Sequence, residues 1–188
     1  MISQLRRLGI PDLVVLEFEN FLDARGLFVE MYKRSDFSRV GISENFVQDN
    51  FSHSRRNVLR GLHYQKAPKA QAKLVTVLSG EILDVAVDIR RGSPSYGRWT
   101  SVVLSSNKPG MVFVPAGFAH GFCVLSDAAD VLYKVSEEYA PELSRGIIWN
   151  DPELAIRWPL AEPIISPQDA EFPRLSGADN EFLYEDKR

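Results

Sequence analysis

The chain has 188 residues, 45% apolar and 25% charged, with a formal net charge of −3 at pH 7. That length suits one domain with its own core, without disulfides or structural metal. The mild acidity argues against a nucleic-acid-coating surface. Cys123, the single cysteine, excludes an intramolecular disulfide and any paired-cysteine zinc site. Its neighbours Phe122 and Val124 point to a buried, inert thiol. Residues 1–7 carry charge but precede no unbroken apolar run. No stretch approaches the roughly 20 apolar residues that span a bilayer. No membrane contact and a reducing, cytoplasmic setting are therefore expected.

In chain order, residues 13–16 form a short β-type run ended by Glu17 and Glu19. Residues 23–26 read as a turn in which Gly26 supplies a permissive backbone. Residues 27–32 are a second strand candidate, residues 35–40 suit one or two helical turns stopped at Gly41, and residues 45–52 suit a polar–aromatic strand. From residue 58 the punctuation becomes regular. A run at 74–78 turns at Ser79-Gly80 into residues 82–89, which alternate with Leu83, Val85, Val87 and Ile89 on one face. A loop at 91–97 follows, then β-type runs at 99–104, 111–114, 121–125 and 131–135. Short strands about 8–12 residues apart, separated by Gly, Pro, Ser, Asn and Asp, read as a β-sandwich or barrel. Beyond Pro141 the chain is dotted with proline and weakly periodic. This tail, residues 141–188, is expected to wrap the β-core within one domain spanning 1–188. The N-terminal strands are expected to complete a sheet across a dimer interface, covering exposed edges.

Two stretches carry chemistry. In Val58-Leu59-Arg60-Gly61-Leu62-His63-Tyr64-Gln65 a histidine sits inside a strand-like run, where a polar group must be hydrogen-bonded or functional. In Pro115-Ala116-Gly117-Phe118-Ala119-His120 the PxGxxH spacing resembles the second motif of cupins, whose double-stranded β-helix, or jelly roll, fits the mainly β pattern with a few short helices. Metal-binding cupins supply HxH and a glutamate from the first motif, but Gln65 stands two residues after His63. No metal is therefore expected. His63 then remains as a general base suited to neutral pH. His120 admits two readings, a turn residue bonded to backbone carbonyls or a donor to a substrate oxygen.

A base that removes a proton beside a carbonyl needs an oxyanion stabiliser and, for inversion, an acid on the opposite face. Lys73 at the head of a strand is a candidate cation, or else a solvated strand-end lysine. Tyr133 is a candidate acid, or else a packing residue with a bonded hydroxyl. Asp169 could be a loop or capping residue, or could orient His63 if the tail folds back.

Taken together, Arg60-Gly61-Leu62-His63-Tyr64-Gln65, Gln48-Asp49-Asn50, Asp84-Val85-Ala86-Val87-Asp88, the stretch 115–122 and Trp149-Asn150-Asp151 resemble the dTDP-4-dehydrorhamnose 3,5-epimerase family, in order, from about Pro11 to Asp169. The resemblance implies a cupin-type homodimer that works without metal or cofactor. The family epimerises dTDP-4-dehydro-6-deoxy-D-glucose at C3 and C5 on the way to dTDP-L-rhamnose. By that similarity His63 is the base, Asp169 its partner, Lys73 the enolate stabiliser and Tyr133 the acid. Arg60 and His120 fall at substrate contacts. Arg25, Glu30, Gln48 and Asn50 match nucleotide- and sugar-binding positions, some expected from the partner subunit. Tyr139 matches a position that stacks on thymine, with Phe21 assisting. Ser144 and Gln168 depart from the glutamate and lysine that the family often carries. They leave open a single-site epimerase or ketoisomerase of another deoxysugar pathway. A metal-dependent cupin enzyme and a non-catalytic sugar-binding cupin are the other classes; the set His63, Lys73, Tyr133 and Asp169 argues against the last.

Overall fold

The computed structural model describes residues 1–185, so the last three residues of the expected tail lie outside the described residues. The strands in chain order are β1 (Ile2–Arg7), β2 (Val14–Phe18), β3 (Phe21–Asp23), β4 (Gly26–Phe28), β5 (Gln48–Arg55), β6 (Leu59–Gln65), β7 (Lys73–Ser79), β8 (Glu81–Asp88), β9 (Trp99–Ser105), β10 (Gly110–Val114), β11 (Phe118–Val124), β12 (Ala128–Val135) and β13 (Ser144–Gly146). Two short helices, α1 (Arg34–Arg39) and α2 (Pro167–Ala170), complete the regular structure that matters here. A six-stranded sheet runs β1-β2-β10-β7-β12-β5, a five-stranded sheet runs β13-β6-β11-β8-β9, and β3-β4 is a separate hairpin. The strand pairings are antiparallel throughout. The architecture is mainly β and of the cupin jelly-roll type.

Between the two sheets lies one apolar layer. Val15, Val75, Val112 and Val131 come from the first sheet, and Ile82, Ala86, Phe118 and Phe122 from the second. Each such valine, isoleucine or phenylalanine contributes about 1.5–3 kcal/mol when fully buried. Both outer faces are also covered. Residues 141–185 pack Ile147, Leu154, Trp158 and Leu175 on Val85, Val87 and Ile89 of the five-stranded sheet. The segment around α1 lays Phe37, Ile42 and Tyr32 on Val14, Leu16 and Phe18 of the other. The alternating face of β8 read from the sequence is real, but it meets the tail. The opposite face, Ile82, Asp84 and Ala86, points into the sandwich, so β8 is buried on both sides.

Three local readings change. The second strand candidate, 27–32, is paired only over Gly26–Phe28, and from Val29 onward the chain has no ladder partner. Val29, Met31 and Tyr32 instead pack side-on against the outer face of the first sheet. β1 was not foreseen, because its Gln4, Arg6 and Arg7 are exposed. Charged residues there suit an edge strand, which must discourage further pairing. β11 begins at Phe118 rather than at Gly121, so His120 lies inside a central strand and is not a turn residue. β1 and β2 join their own chain's sheet through β10, whereas the β3-β4 hairpin pairs with neither sheet.

Candidate active site

His63 stands on β6 of the five-stranded sheet, directly opposite His120 on β11. Gly61 makes that approach possible. Its φ is +118°, and a β-carbon there would sit 2.7 Å from both the Gly121 Cα and the His120 carbonyl oxygen. The adjacent bulge between β6 and β11 re-aims the neighbouring side chains.

The tail folds back and places Asp169 against His63. The His63 Nε2 lies 2.8 Å from Asp169 Oδ1, and the Gly61 amide donates to Oδ2 at 3.0 Å. Ser166 caps α2 by accepting the Asp169 amide at 3.1 Å, which fixes the turn that carries the carboxylate. Burial alone would raise the Asp169 pKa. The bond and charge of His63 and the Gly61 amide outweigh it and hold the carboxyl below its usual range. Two backbone bonds clamp the tail nearby: Leu59 donates to the Ile164 carbonyl at 3.0 Å and Ile148 to the Pro173 carbonyl at 2.9 Å. Phe172 meets the His63 ring edge-on, with centroids 5.6 Å apart. It can do so because residue 146 is glycine; a β-carbon there would lie 2.2 Å from the Phe172 ring.

The opposite wall belongs to the six-stranded sheet. Tyr133 on β12 is half-buried, and burial raises its pKa, with the Arg60 charge opposing and Tyr139 adding. The phenol therefore keeps its proton at neutral pH. Lys73 heads β7 and is 7% exposed, so the solvated strand-end reading is set aside. Its ammonium donates to the His63 carbonyl at 3.3 Å. Burial lowers its pKa to about 8, with the Asp84 charge opposing. Lys73 is thus largely protonated at pH 7, in a place where a cation acts through little water.

His63, Lys73 and Tyr133 are shared by two adjoining cavities. One, of about 180 Å³, extends past Gln48, Asn50, Tyr139, Ser144 and Gln168. The other, of about 210 Å³, extends past Ser52, Arg60, His120 and Phe122. The structure thus brings together His63, Asp169, Lys73, Tyr133, Gln48, Asn50, Arg60, His120 and Tyr139. It does not bring Phe21, Arg25 or Glu30 to this cleft. Phe21 and Arg25 lie on the β3-β4 hairpin, where Arg25 pairs with Asp23, and Glu30 follows β4.

Two features of the site were not singled out from the sequence. Asp84 is 1% exposed and accepts from His120 Nε2 at 2.8 Å. A carboxylate at the inward parity of an otherwise apolar strand was the available signal. Ser52 carries a hydroxyl with no hydrogen-bond partner among the described residues and faces the cleft beside Arg60. The signal there was Gln48, Asn50, Ser52 and Ser54 at period two, a polar row on a strand face that is half-buried to buried. Cys123 is fully buried, and burial pushes its thiol up to about 11, which leaves it inert.

A jelly roll whose two sheets present a carboxylate-paired imidazole and a protonated phenol to the same cavities, with a buried lysine lining them too, defines a cupin-type enzyme of proton transfer. Comparison with known proteins narrows that class. The family model described as dTDP-4-dehydrorhamnose 3,5-epimerase matches residues 7–177. A curated dTDP-4-dehydrorhamnose 3,5-epimerase from Pseudomonas aeruginosa is 50% identical over 175 residues, covering 92% of this chain and 96% of that protein. The crystal structure of the 3,5-epimerase from Legionella pneumophila Philadelphia 1, in complex with dTDP-4-keto-L-rhamnose, superposes with a TM-score of 0.93 at 45% identity, covering 97% of this chain and 99% of that one. A 3'-monoepimerase from Streptomyces bikiniensis, in complex with dTDP-quinovose, gives a TM-score of 0.86 at 34% identity, covering 91% of this chain and 87% of that one. The chain belongs to the dTDP-4-dehydrorhamnose 3,5-epimerase family.

Proposed function

We propose that the protein epimerises dTDP-4-dehydro-6-deoxy-D-glucose at C3 and C5, giving dTDP-4-dehydro-L-rhamnose for dTDP-L-rhamnose synthesis. The observation that carries this reading is that His63 and Tyr133 come from opposite sheets and line the same cleft, which Lys73 also lines. Both reacting carbons are α to the C4 ketone, so removing either proton places charge on the C4 oxygen. His63, oriented by Asp169, removes the proton. The Lys73 ammonium stabilises the enolate oxygen. Tyr133 returns a proton to the other face, and the carbon inverts. The ketone itself supplies the acidity, so no cofactor or metal enters the reading.

The nucleotide end follows from the same cleft. Tyr139, 57% exposed at its mouth, offers a ring face to thymine. Gln48 donates to Asn50 at 2.8 Å and accepts the Tyr139 amide at 2.9 Å, a preset polar frame for the ligand. Arg60 and His120 take the sugar diphosphate end. Phe21, Arg25 and Glu30 reach the substrate from the partner subunit of a homodimer. Support for this comes from the β3-β4 hairpin, which leaves Leu22 and Phe28 more than half exposed and carries Arg25 away from its own cleft. The expected mass in solution is that of a dimer, and a monomer by sedimentation would remove this part of the reading. No helix among the described residues is long and apolar enough to cross a membrane, and a nucleotide-sugar substrate fits a cytoplasmic enzyme.

A second reading has a specific observation behind it. Ser144 and Gln168, the two departures from the family pattern, both line the cleft with His63. Epimerisation at one carbon only would then be the activity. Incubation with dTDP-4-dehydro-6-deoxy-D-glucose in D₂O separates the two. Solvent deuterium with inversion at both C3 and C5 is expected. Label and inversion at one carbon would establish the single-site reading, and label at neither would overturn both.

A further inference from the structure

Gln65 follows His63 by two residues on β6, on the same face of the strand, and is 3% exposed. Its side-chain amide is taken up by backbone groups. Nε2 donates to the Lys69 carbonyl at 2.6 Å and to the Glu138 carbonyl at 3.0 Å, and Oε1 accepts the Ala140 amide at 2.8 Å. The reverse orientation would set an oxygen against two carbonyls, so these partners decide which end is which. A buried amide used at both ends by two loops is a clamp. It joins residues 66–72 and residues 136–140 to the strand that carries His63.

The clamped segment presents Tyr139, which is 57% exposed and lines the same cavity as Gln65 and His63. A ring so exposed has little packing to orient it, so its direction depends on its backbone. Two successive amides set that backbone. The Tyr139 amide donates to Gln48 Oε1 at 2.9 Å, and the Ala140 amide donates to Gln65 Oε1. Gln48 belongs to β5 of the six-stranded sheet and Gln65 to β6 of the five-stranded sheet, so the chain at Tyr139 is held from both walls. Gln71 Nε2 donates to the Glu137 carbonyl and the Ala72 amide to Ser136 Oγ, each at 2.8 Å. Residues 136 and 137 are thus tied to the loop that Gln65 also holds.

We propose that Gln65 is a positioning residue for the nucleotide: by clamping residues 138–140 to β6 it fixes the place of the Tyr139 ring relative to His63. The inference rests on the thymine role proposed for Tyr139, but the clamp itself is measurable without any ligand. Its consequence lies in binding rather than in proton transfer. A ring already in place loses little freedom when a base stacks on it. A ring on a loosened segment must first be ordered, and affinity falls by that cost. His63 keeps its Asp169 bond in either case, so the reacting end is unchanged.

The test is Gln65→Met, which keeps the length of the side chain and removes all three bonds. Amide hydrogen exchange reads the clamp. The informative amide is that of Tyr139, whose acceptor is Gln48 and not Gln65. Its exchange should speed up roughly three- to tenfold, the net worth of about one hydrogen bond, while the β7-β12 ladder stays protected. The dissociation constant of dTDP, measured by calorimetry, should rise by roughly three- to tenfold, up to the worth of one aromatic stacking contact. In a Tyr139→Ala background the same change should alter it by less than about twofold, because no ring remains to be positioned. In turnover KM should rise with the dTDP constant while kcat changes little. A general loss of structure would instead loosen the ladder and lower kcat as well.

An unchanged Tyr139 amide in folded Gln65→Met overturns the clamp. A faster amide with unchanged dTDP affinity overturns its role in binding, and equal losses of affinity with and without the Tyr139 ring overturn its action through that ring. If Gln65→Met does not fold, Gln65→Glu serves the same comparison. It has the shape of glutamine and keeps an acceptor for Ala140, but turns an oxygen to the Lys69 and Glu138 carbonyls. If the Tyr139 amide speeds up but the wild-type protein binds no dTDP, the clamp stands and the proposed function fails.

Discussion

Replacing His63 with alanine should suppress solvent exchange at both C3 and C5, because in the proposed mechanism one imidazole serves both carbons. A positioned general base typically contributes 10²–10⁴-fold, so exchange should fall by roughly that factor at each position. Gln48, Asn50 and Tyr139, the proposed nucleotide end, are untouched by the change, so KM should move much less than kcat. Some stability is lost as well. Asp169 is buried and keeps the Gly61 amide, but loses the imidazole that pairs with its other oxygen. An under-satisfied buried carboxylate costs about 1–3 kcal/mol, so rates must be read on protein shown to be folded. NMR of substrate recovered from D₂O measures both carbons at once. Exchange that persists at C3 or C5 at close to the wild-type rate would assign that carbon to another base.

The pattern of the fold was legible where two forces agreed. From β5 to β12 the alternation of side chains and the Gly, Ser and Asp turns both mark strands, and the ladders follow them closely. Legibility failed where a segment's partner is not adjacent in sequence. β13 has three residues and no pattern of its own; it exists because β6 offers it an edge, with Gly146 opposite His63. Residues 29–32 are apolar enough for a strand, but no ladder partner reaches them, and their side chains find the sheet's outer face instead.

The site divides the same way. His63 stood out because a histidine in a buried strand demands a partner, but that partner is 106 residues away and only the folded tail brings it close. Lys73 and Tyr133 had ordinary structural readings, and it is burial against the same cavities that removes them from the ordinary. Asp84 was visible in the sequence as a polar residue in an apolar alternation. Its role was hidden because its partner, His120, sits on another strand. Spacing along one strand reveals a face; it does not reveal which other strands share the space in front of it.

Tyr133→Phe separates proton removal from inversion. The ring of Tyr133 packs on the apolar layer between the sheets, so phenylalanine keeps that contact and only the hydroxyl is lost. On the proposed roles, His63 still removes the proton, Lys73 still holds the enolate, and deuterium from solvent can still return through the same imidazole. Return from that side retains configuration. The expected result is therefore exchange in recovered substrate at near wild-type levels, with net inversion reduced about 10²-fold or more, the usual worth of a positioned acid. The ratio of label in recovered substrate to label in inverted product should rise by the same factor. The pH dependence adds a second check. Burial keeps the phenol protonated well into the alkaline range, so its removal should lower inversion across neutral pH without creating a new limb there. Equal loss of exchange and inversion would place Tyr133 in proton removal or in binding, and the acid would have to be sought elsewhere on the six-stranded wall.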